Sequence, residues 1–210
     1  MSISILVQST VKQPGGTAFI LSDYTDIVTS AELTSQRFDA PGKLTFSCVE
    51  KGRIHIEMGS SVRLMAGALP LFKGYVFTAE RNRFGETTYT AYDQLRYLKA
   101  NASYTFEAMT LGQMIAQIAA DFGLEVGKVE ETGYAFPCLM KEDESCLDII
   151  FEALSETIIQ TGRIFNFYDN AGKLTLTEAK NMYVPTLVGD GSLITDYTYK
   201  RDIDSGTYNR

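Results

Sequence analysis

Hydrophobic and polar residues alternate along much of the first hundred residues, which is the pattern of half-buried β-strands. The alternation is regular at residues 43–49 and 53–57 and looser at 61–66, while residues 72–81 and 86–92 flank a short turn. These segments predict strands, and the last two predict a hairpin. Turn signals separate them at residues 14–16, 41–42, 51–52, 67 and 84–85. Strands this short with turns this frequent predict a small antiparallel barrel or sandwich.

The pattern changes to a helical period close to residue 100. Asp93 predicts the N-cap of a short helix through Leu98, and Thr110 predicts the N-cap of a longer one that ends before Gly123. The apolar stripe of this longer helix contains Leu111, Met114, Ile115, Ile118 and Phe122. Ser145 and Asp148 resemble a capping box, which predicts a second long helix ending at Gly162.

A second hairpin is predicted after this helix, from residues 163–168 and 173–178 across the turn 169–172. The segment 101–185 is therefore an α+β unit. Residues 193–199 alternate again like a strand, but 202–209 form a turn that leads into no further strand. This unfinished β unit indicates either that the chain is a fragment or that a partner completes the sheet. The fold class predicted for the chain is strand-rich α+β.

Composition places the chain among ordinary globular proteins. It has 210 residues, of which 45% are hydrophobic and 21% charged, and its net charge is −7. The acidity belongs to residues 101–160, which carry 2 basic and 11 acidic side chains. A sequence pI near 4.8 argues against a basic nucleic-acid-binding surface, because phosphate binding needs clustered Lys and Arg.

Targeting and redox signals are weak. The N-terminus has neither the basic nor the long apolar region of a signal peptide, and the longest largely apolar run, 64–72, is far shorter than the roughly 20 residues of a membrane span. We therefore expect a protein made and kept soluble in the cytosol unless a larger assembly carries it out, without membrane binding. Cys48, Cys138 and Cys146 have no C-x-x-C spacing and are predicted to be buried, inert thiols. The sequon at 101–103 is interpreted as chance.

Candidate catalytic chemistry is sparse. The single histidine, His55, lies between two isoleucines and is predicted to face solvent or a neighbour. Paired carboxylates at Glu130–Glu131 and in 142–144 could serve glycoside hydrolysis, but the chain has no Trp for a sugar platform, and both are predicted to be solvated acidic loops. Gly15–Gly16 lacks the rest of a phosphate-binding loop. No catalytic, metal-binding or cofactor-binding residue is predicted.

Two segments carry a resemblance to a known family. LFKGYVF at 71–77 and TYTAYDQLRYL at 88–98 resemble the baseplate (tail) hub proteins of contractile phage tails, prophages and R-type bacteriocins. The similarity is greatest to the type found in prophages of Gram-positive bacteria. Further matching segments are 40–46, 110–122, 143–162 and 205–209, so the resemblance extends in order over most of the chain.

The resemblance implies a tail-tube-like antiparallel β-barrel over 1–100, an α+β middle domain over 101–185, and the first strands of a second, truncated β-barrel over 186–210. It implies a non-enzymatic baseplate hub subunit that joins the tail tube to the central spike as a homotrimer with pseudo-sixfold barrels. Its partners would be the tail tube protein, the central spike protein and other baseplate proteins, with DNA only as cargo passing through the ring. It would be assembled in the bacterial cytoplasm and reside in the virion tail baseplate. Hub chains normally continue past the motif at 205–209, whereas this one stops at Arg210.

Two alternatives follow from the middle segment. Residues 104–106 followed by 110–119 resemble the first half of a LysM peptidoglycan-binding module, although Ala108–Met109 replaces the usual Gly-Asp. Glycan binding at the tail tip is therefore an alternative function. A wall hydrolase that uses Glu142, Asp143 or Glu144 is a further one, but the sequence supplies no proton shuttle or metal for it.

Overall fold

The structure is a computed structural model that describes residues 3–13, 16–37, 40–49 and 56–182. Within these ranges the chain forms twelve β-strands, two α-helices and three short 3₁₀ helices, which confirms the predicted strand-rich α+β fold class. Two hydrophobic cores are present, one within the first sheet and one among the helices and strands that follow it.

Seven strands form the first sheet, in the order β2-β1-β5-β6-β7-β4-β3 with antiparallel neighbours. They are β1 (Ile3–Gln13), β2 (Gly16–Asp23), β3 (Val28–Thr34), β4 (Lys43–Val49), β5 (Ser61–Ala66), β6 (Leu69–Arg81) and β7 (Glu86–Tyr92). The predicted strands at 43–49 and 61–66 and the hairpin around 82–85 are confirmed. Alternate residues of β4, β5 and β7 are buried, because successive side chains of a strand point to opposite faces.

The sheet curls around its own core. The two edge strands, β2 and β3, are joined by only residues 24–27, which include the 3₁₀ turn η1 (Thr25–Ile27). So short a connection requires the opposite edges to meet at that end. A twist of about 20–25° per strand, accumulated over six steps, brings the end of β2 towards the start of β3. The backbone N–H of Tyr24 donates to the carbonyl of Ile5 at 2.9 Å and anchors this junction to β1.

The second unit begins with η2 (Gln94–Lys99), β8 (Asn101–Thr110) and α1 (Leu111–Asp121). The predicted caps are present. The Thr110 hydroxyl accepts from the N–H of Gln113 at 3.4 Å while the Gln113 side chain accepts from the N–H of Thr110 at 2.8 Å. α2 (Cys146–Thr161) starts with the Ser145 hydroxyl accepting from the Asp148 N–H, and it ends at Gly162, whose φ of +68° is the left-handed conformation that favours glycine.

Two small sheets complete the second unit. β8 pairs with β10 (Ala135–Ser145) as an antiparallel ribbon, and β11 (Phe165–Asp169) forms the predicted hairpin with β12 (Leu174–Glu178). β9 (Val126–Val129) lies parallel to β12, and η3 (Ala179–Met182) follows. The ribbon and β9 were not predicted. The segment predicted at 186–210 lies outside the described residues, so the second barrel stays a prediction. Of the strand predicted at 53–57, residues 53–55 also lie outside them, and Ile56 and Glu57 belong to no strand.

Candidate assembly surfaces

The edge strands of the seven-stranded sheet carry exposed apolar side chains. Phe19, Ile20 and Leu21 on β2 are 68%, 46% and 54% exposed, and Leu33 on β3 is 40% exposed. Among the described strands, β2 and β3 each have one neighbour. Each therefore presents one row of backbone N–H and C=O groups that no described strand uses, which is the feature that lets another chain extend a sheet.

Two of these exposed side chains belong to the core face of the sheet. Leu33 lies opposite Leu44, which is fully buried. Ile20 is two residues from Ser22, the partner of the buried Val7, and so projects to the same face as Val7. The apolar core therefore reaches both edge strands, where the described part of the chain leaves it partly exposed.

Four aromatic rings form a half-exposed cluster with one guanidinium group on the outer face of β6, β7 and η2. The ring centroids of Phe77 lie 5.5 Å from Tyr92 and 5.9 Å from Tyr97, and Tyr97 lies 6.0 Å from Tyr75. Arg96 places its guanidinium carbon 5.7 Å from the Phe77 ring and 5.9 Å from the Tyr92 ring. Burial, together with the neighbouring Tyr75, raises the pKa of Tyr97. The cluster packs η2 against the outer face of the sheet.

A buried carboxylate, Asp93, joins the sheet to the second unit. Its Oδ2 accepts from the N–H of Gly42 at 2.7 Å and its Oδ1 accepts from the N–H of Leu95 at 3.0 Å, so the predicted N-cap is confirmed. A Cβ on Gly42 would lie 2.6 Å from that Oδ2, which explains a glycine at this position. Burial raises the pKa of Asp93 to about 7; the charge of Asp169 raises it further, and the two N–H groups oppose the rise.

Polar side chains beside Asp93 connect η2 with the residues that follow it in the second unit, and one ion pair joins the two units. The Gln94 amide accepts from the N–H of Glu125 at 2.9 Å and donates to Asp169 at 3.2 Å. Asp169 also accepts from the N–H of Gly172 at 2.6 Å, and Lys73 of β6 forms an ion pair with Glu125 at 3.3 Å. Burial raises the pKa of Asp169, whereas its hydrogen bonds and Lys73 lower it.

The first predicted acidic loop is instead an ion network. Glu178 accepts from Arg163 at 2.6 Å and from Lys180 at 2.8 Å, and Glu130 accepts from Lys128 at 2.6 Å and from the N–H of Glu178 at 2.8 Å. The Glu130 side chain is only 12% exposed, so the prediction of a solvated loop is wrong for it. Hydrogen bonds, chiefly from Lys128 and Arg163 respectively, lower the pKa of Glu130 and Glu178 to about 2.

The second acidic cluster belongs to a strand. Residues 142–144 lie in β10, where the pairing with β8 shifts between Lys141 and Glu144 and Asp143 has a φ of +49°. The bulge directs Glu142 and Asp143 to solvent, and the Asn101 amide donates to the Asp143 carbonyl at 3.1 Å. These residues are thus exposed as predicted, but the loop prediction is wrong.

The three cysteines differ in environment. Cys48 and Cys146 are buried, as predicted, and burial raises the pKa of the Cys146 thiol. Cys138 is exposed, which contradicts the prediction, because it points away from the second core on β10. It is one of the residues at the edge of a cavity of about 380 Å³ between β10 and α2.

The LysM-like segment uses its aromatic residues within the protein. The rings of Tyr104 and Phe106 stack at 5.2 Å, and Phe106 is fully buried in the second core. The Tyr104 hydroxyl donates to Asp121 at the end of α1 at 2.9 Å. Burial and this contact raise the pKa of Tyr104. The segment therefore contributes to folding of the second unit.

Two candidate residues of the sequence, His55 and Gly15, lie outside the described residues. In the described ranges, no group of three His, Cys, Asp or Glu side chains is placed to hold a metal ion. In the same ranges, no helix has both the length and the hydropathy that are needed to cross a membrane.

The architecture has counterparts among solved structures. The 43 kDa tail protein of prophage MuSo2 from Shewanella oneidensis superposes with a TM-score of 0.60 at 18% identity, over 83% of this chain and 52% of its own. A tail protein from Neisseria meningitidis MC58 superposes with a TM-score of 0.57 at 14% identity, over 84% and 50%. The curled sheet and the α+β unit together are thus the fold of prophage tail proteins.

The chain belongs to the YQBQ-like family, whose model matches residues 31–210. It is 32% identical over 190 residues to the uncharacterized protein YqbQ of Bacillus subtilis (strain 168), covering 87% of this chain and 58% of that protein. It is 30% identical over 184 residues to the phage-like element PBSX protein XkdQ of the same organism, covering 85% and 56%. The chain thus spans a little over half the length of these relatives. The resemblance to tail proteins of Gram-positive prophages is confirmed.

Proposed function

We propose that this chain is a structural, non-enzymatic subunit of a baseplate hub, which joins a tail tube to a central spike and assembles as a homotrimer. The observation that carries the proposal is the pair of edge strands, β2 and β3, whose core-face residues Ile20 and Leu33 are exposed. A sheet with two such edges is suited to lateral association with copies of itself.

The tail-tube-like barrel of the proposal is residues 1–100, the middle domain is 101–185, and a second barrel begins near residue 186. Three copies would then present six barrels, which matches a sixfold tube to a threefold spike. Other baseplate proteins would contact the same ring, and DNA would pass through it as cargo. A net charge of −7 suits this role, because a neutral or acidic channel does not retain phosphate. The site of action would be the virion tail baseplate, after assembly in the bacterial cytoplasm.

Light scattering tests the proposal, on the chain alone and mixed with the tube and spike proteins of the same element. The expected result is a trimer. Leu33→Lys, which places a charge on the β3 edge, should weaken that trimer, while Ala68→Lys in the exposed turn between β5 and β6 is the matched control. A chain that stays monomeric and ignores both tube and spike would overturn the proposal. Saturable retention on purified peptidoglycan would instead favour the LysM-like alternative.

A further inference from the structure

The tip of the β6–β7 hairpin holds one aromatic ring rigidly in solvent. Phe84 is 77% exposed and belongs to neither hydrophobic core. The Asn82 side chain fixes the turn, because its Oδ1 accepts from the N–H of Phe84 at 2.9 Å and from that of Glu86 at 3.1 Å. Gly85, with a φ of +81°, supplies the left-handed position that the turn requires. The ring is therefore displayed by a preorganised turn.

Basic groups flank this ring. The guanidinium carbon of Arg83 lies 4.6 Å from the centroid of Phe84, and Arg81 is exposed at the end of β6. The nearest carboxylate in sequence, Glu86, is engaged within the sheet, where it accepts from Thr29 at 2.7 Å and from the Asn82 amide at 3.1 Å. The tip therefore presents an apolar ring together with two cations.

A groove of complementary character lies between β10 and α2. Its volume is about 380 Å³, and Phe136, Leu139 and Ala153 form its apolar floor. Glu152 and Glu156 of α2 lie along its rim. A groove of this size with an apolar floor suits an aromatic side chain, which removes roughly 150–250 Å² from water when it is buried.

The surroundings of the groove are strongly acidic. Lys141 is the only basic residue between positions 129 and 162, and it already pairs with Glu144 at 3.1 Å and with Glu152. Glu156 is bonded to the neutral Gln160 amide. Because Lys141 itself lines the groove with Glu152 and Glu156, the rim has an excess of one negative charge, which a guanidinium group from outside would balance.

We infer that the hairpin tip of one copy inserts Phe84 into the β10–α2 groove of a second copy, with Arg81 and Arg83 facing Glu152 and Glu156. Both halves of the contact are present on every chain, and within a chain Phe84 remains exposed. Such a contact joins two different surfaces, and its repetition closes a ring of three copies when each copy is rotated by a third of a turn from the last. This inference rests on the proposed homotrimer and names one of its contacts.

Disulfide trapping tests the contact directly, because Cys138 is exposed and lines the groove while Cys48 and Cys146 are buried. Arg81→Cys, which leaves the Phe84 anchor in place, should give covalently linked chains under mild oxidation with diamide. The same substitution combined with Cys138→Ser should remain uncrosslinked. Absence of crosslinks in the first variant, or their persistence in the second, would overturn the inference.

Charge reversal gives an independent measurement. Arg83→Glu and Glu156→Arg should each weaken self-association about tenfold, and the two together should restore most of it. Lys99→Glu, at an exposed site on η2, is the matched control and should leave association unchanged. Phe84→Ala should weaken association roughly 30-fold, as loss of a central aromatic anchor does. Circular dichroism checks that each variant is folded.

The outcomes separate this inference from the proposed function. A trimer that forms normally in Phe84→Ala and in both charge reversals overturns the inference and leaves the proposed function standing. A wild-type chain that stays monomeric with the tube and spike proteins overturns the proposed function itself.

Discussion

Replacing Asp93 with Asn should change how the stability of the protein depends on pH. Asp93 is 5% exposed, accepts hydrogen bonds from Gly42 and Leu95, and lies near a half-buried carboxyl group, Asp169. Asparagine keeps one acceptor for the Leu95 N–H. Its NH₂ group then faces the N–H of Gly42, so that two donors meet with no acceptor between them. This should lower the free energy of unfolding by about 1–3 kcal/mol at any pH.

The size of this pH dependence follows from the raised pKa of Asp93. That pKa is about 7 in the folded protein, against an ordinary value of 3.8. Between these values the folded chain holds a proton that the unfolded chain has released, so the free energy of unfolding falls as pH rises. The slope is about 1.4 kcal/mol per pH unit, and the total over the window is roughly 4 kcal/mol. Asp93→Asn should lack this slope, so its stability deficit should shrink from pH 4 to pH 8.

Urea unfolding at a series of pH values, followed by circular dichroism, measures the difference. Asp26→Asn, which changes an exposed aspartate of η1, is the control and should retain the wild-type slope. Parallel stability profiles for the wild type and Asp93→Asn would refute the reasoning. Such a result would mean that the two backbone N–H bonds keep Asp93 ionised in spite of its burial.

Three further predictions concern the cores and the ion network. Phe46→Ala removes a fully buried ring whose centroid lies 5.4 Å from that of Tyr89, and should cost about 3–5 kcal/mol in denaturant unfolding, whereas Phe84→Ala should cost less than about 0.5. Gly74→Ala should destabilise by at least about 1–3 kcal/mol in thermal unfolding, since a Cβ there would lie too close to the backbone carbonyl of Tyr92. Because the pKa of Glu178 is lowered to about 2, its ion pairs stabilise the folded protein above pH 4.5, and this stabilisation is lost as pH falls towards 2. Glu178→Gln should therefore flatten the curve of unfolding free energy against pH between these values. An unchanged curve in that range would contradict this.

Local signals in the sequence were sufficient for the elements that have their own caps and turns. α1 was predicted from Thr110 and its apolar stripe, and α2 from Ser145 and Gly162, because these residues satisfy the helix ends through neighbours in sequence. The signal for the β6–β7 hairpin is equally local, since only residues 82–85 separate its two strands. In each case the residues that define the element are close enough in sequence to be recognised together.

Elements whose partners are distant in sequence are not predicted, because no local pattern contains both partners. β8 pairs with β10 across an intervening helix, and the bulge at Asp143 interrupts the alternation that would have indicated a strand. β9 is four residues long and is stabilised by a parallel contact with β12, nearly fifty residues later. The sequence predicts a loop at Glu130, because two of its partners, the N–H of Glu178 and the Asn181 amide, lie about fifty residues later in the chain.

The joint between the two units depends on polar contacts more than on apolar packing. The two hydrophobic cores are separate, whereas Asp93 accepts from the N–H of Gly42 beside β4 and from that of Leu95 in η2, and Lys73 of β6 pairs with Glu125 of the second unit. A directional joint fixes the orientation of the hairpin tip relative to the β10–α2 groove, and a ring closes only if that orientation is the same in every copy. We therefore expect substitutions at Lys73 to affect ring closure more than the stability of either core, since its ion pair with Glu125 joins the two units and its side chain belongs to neither core.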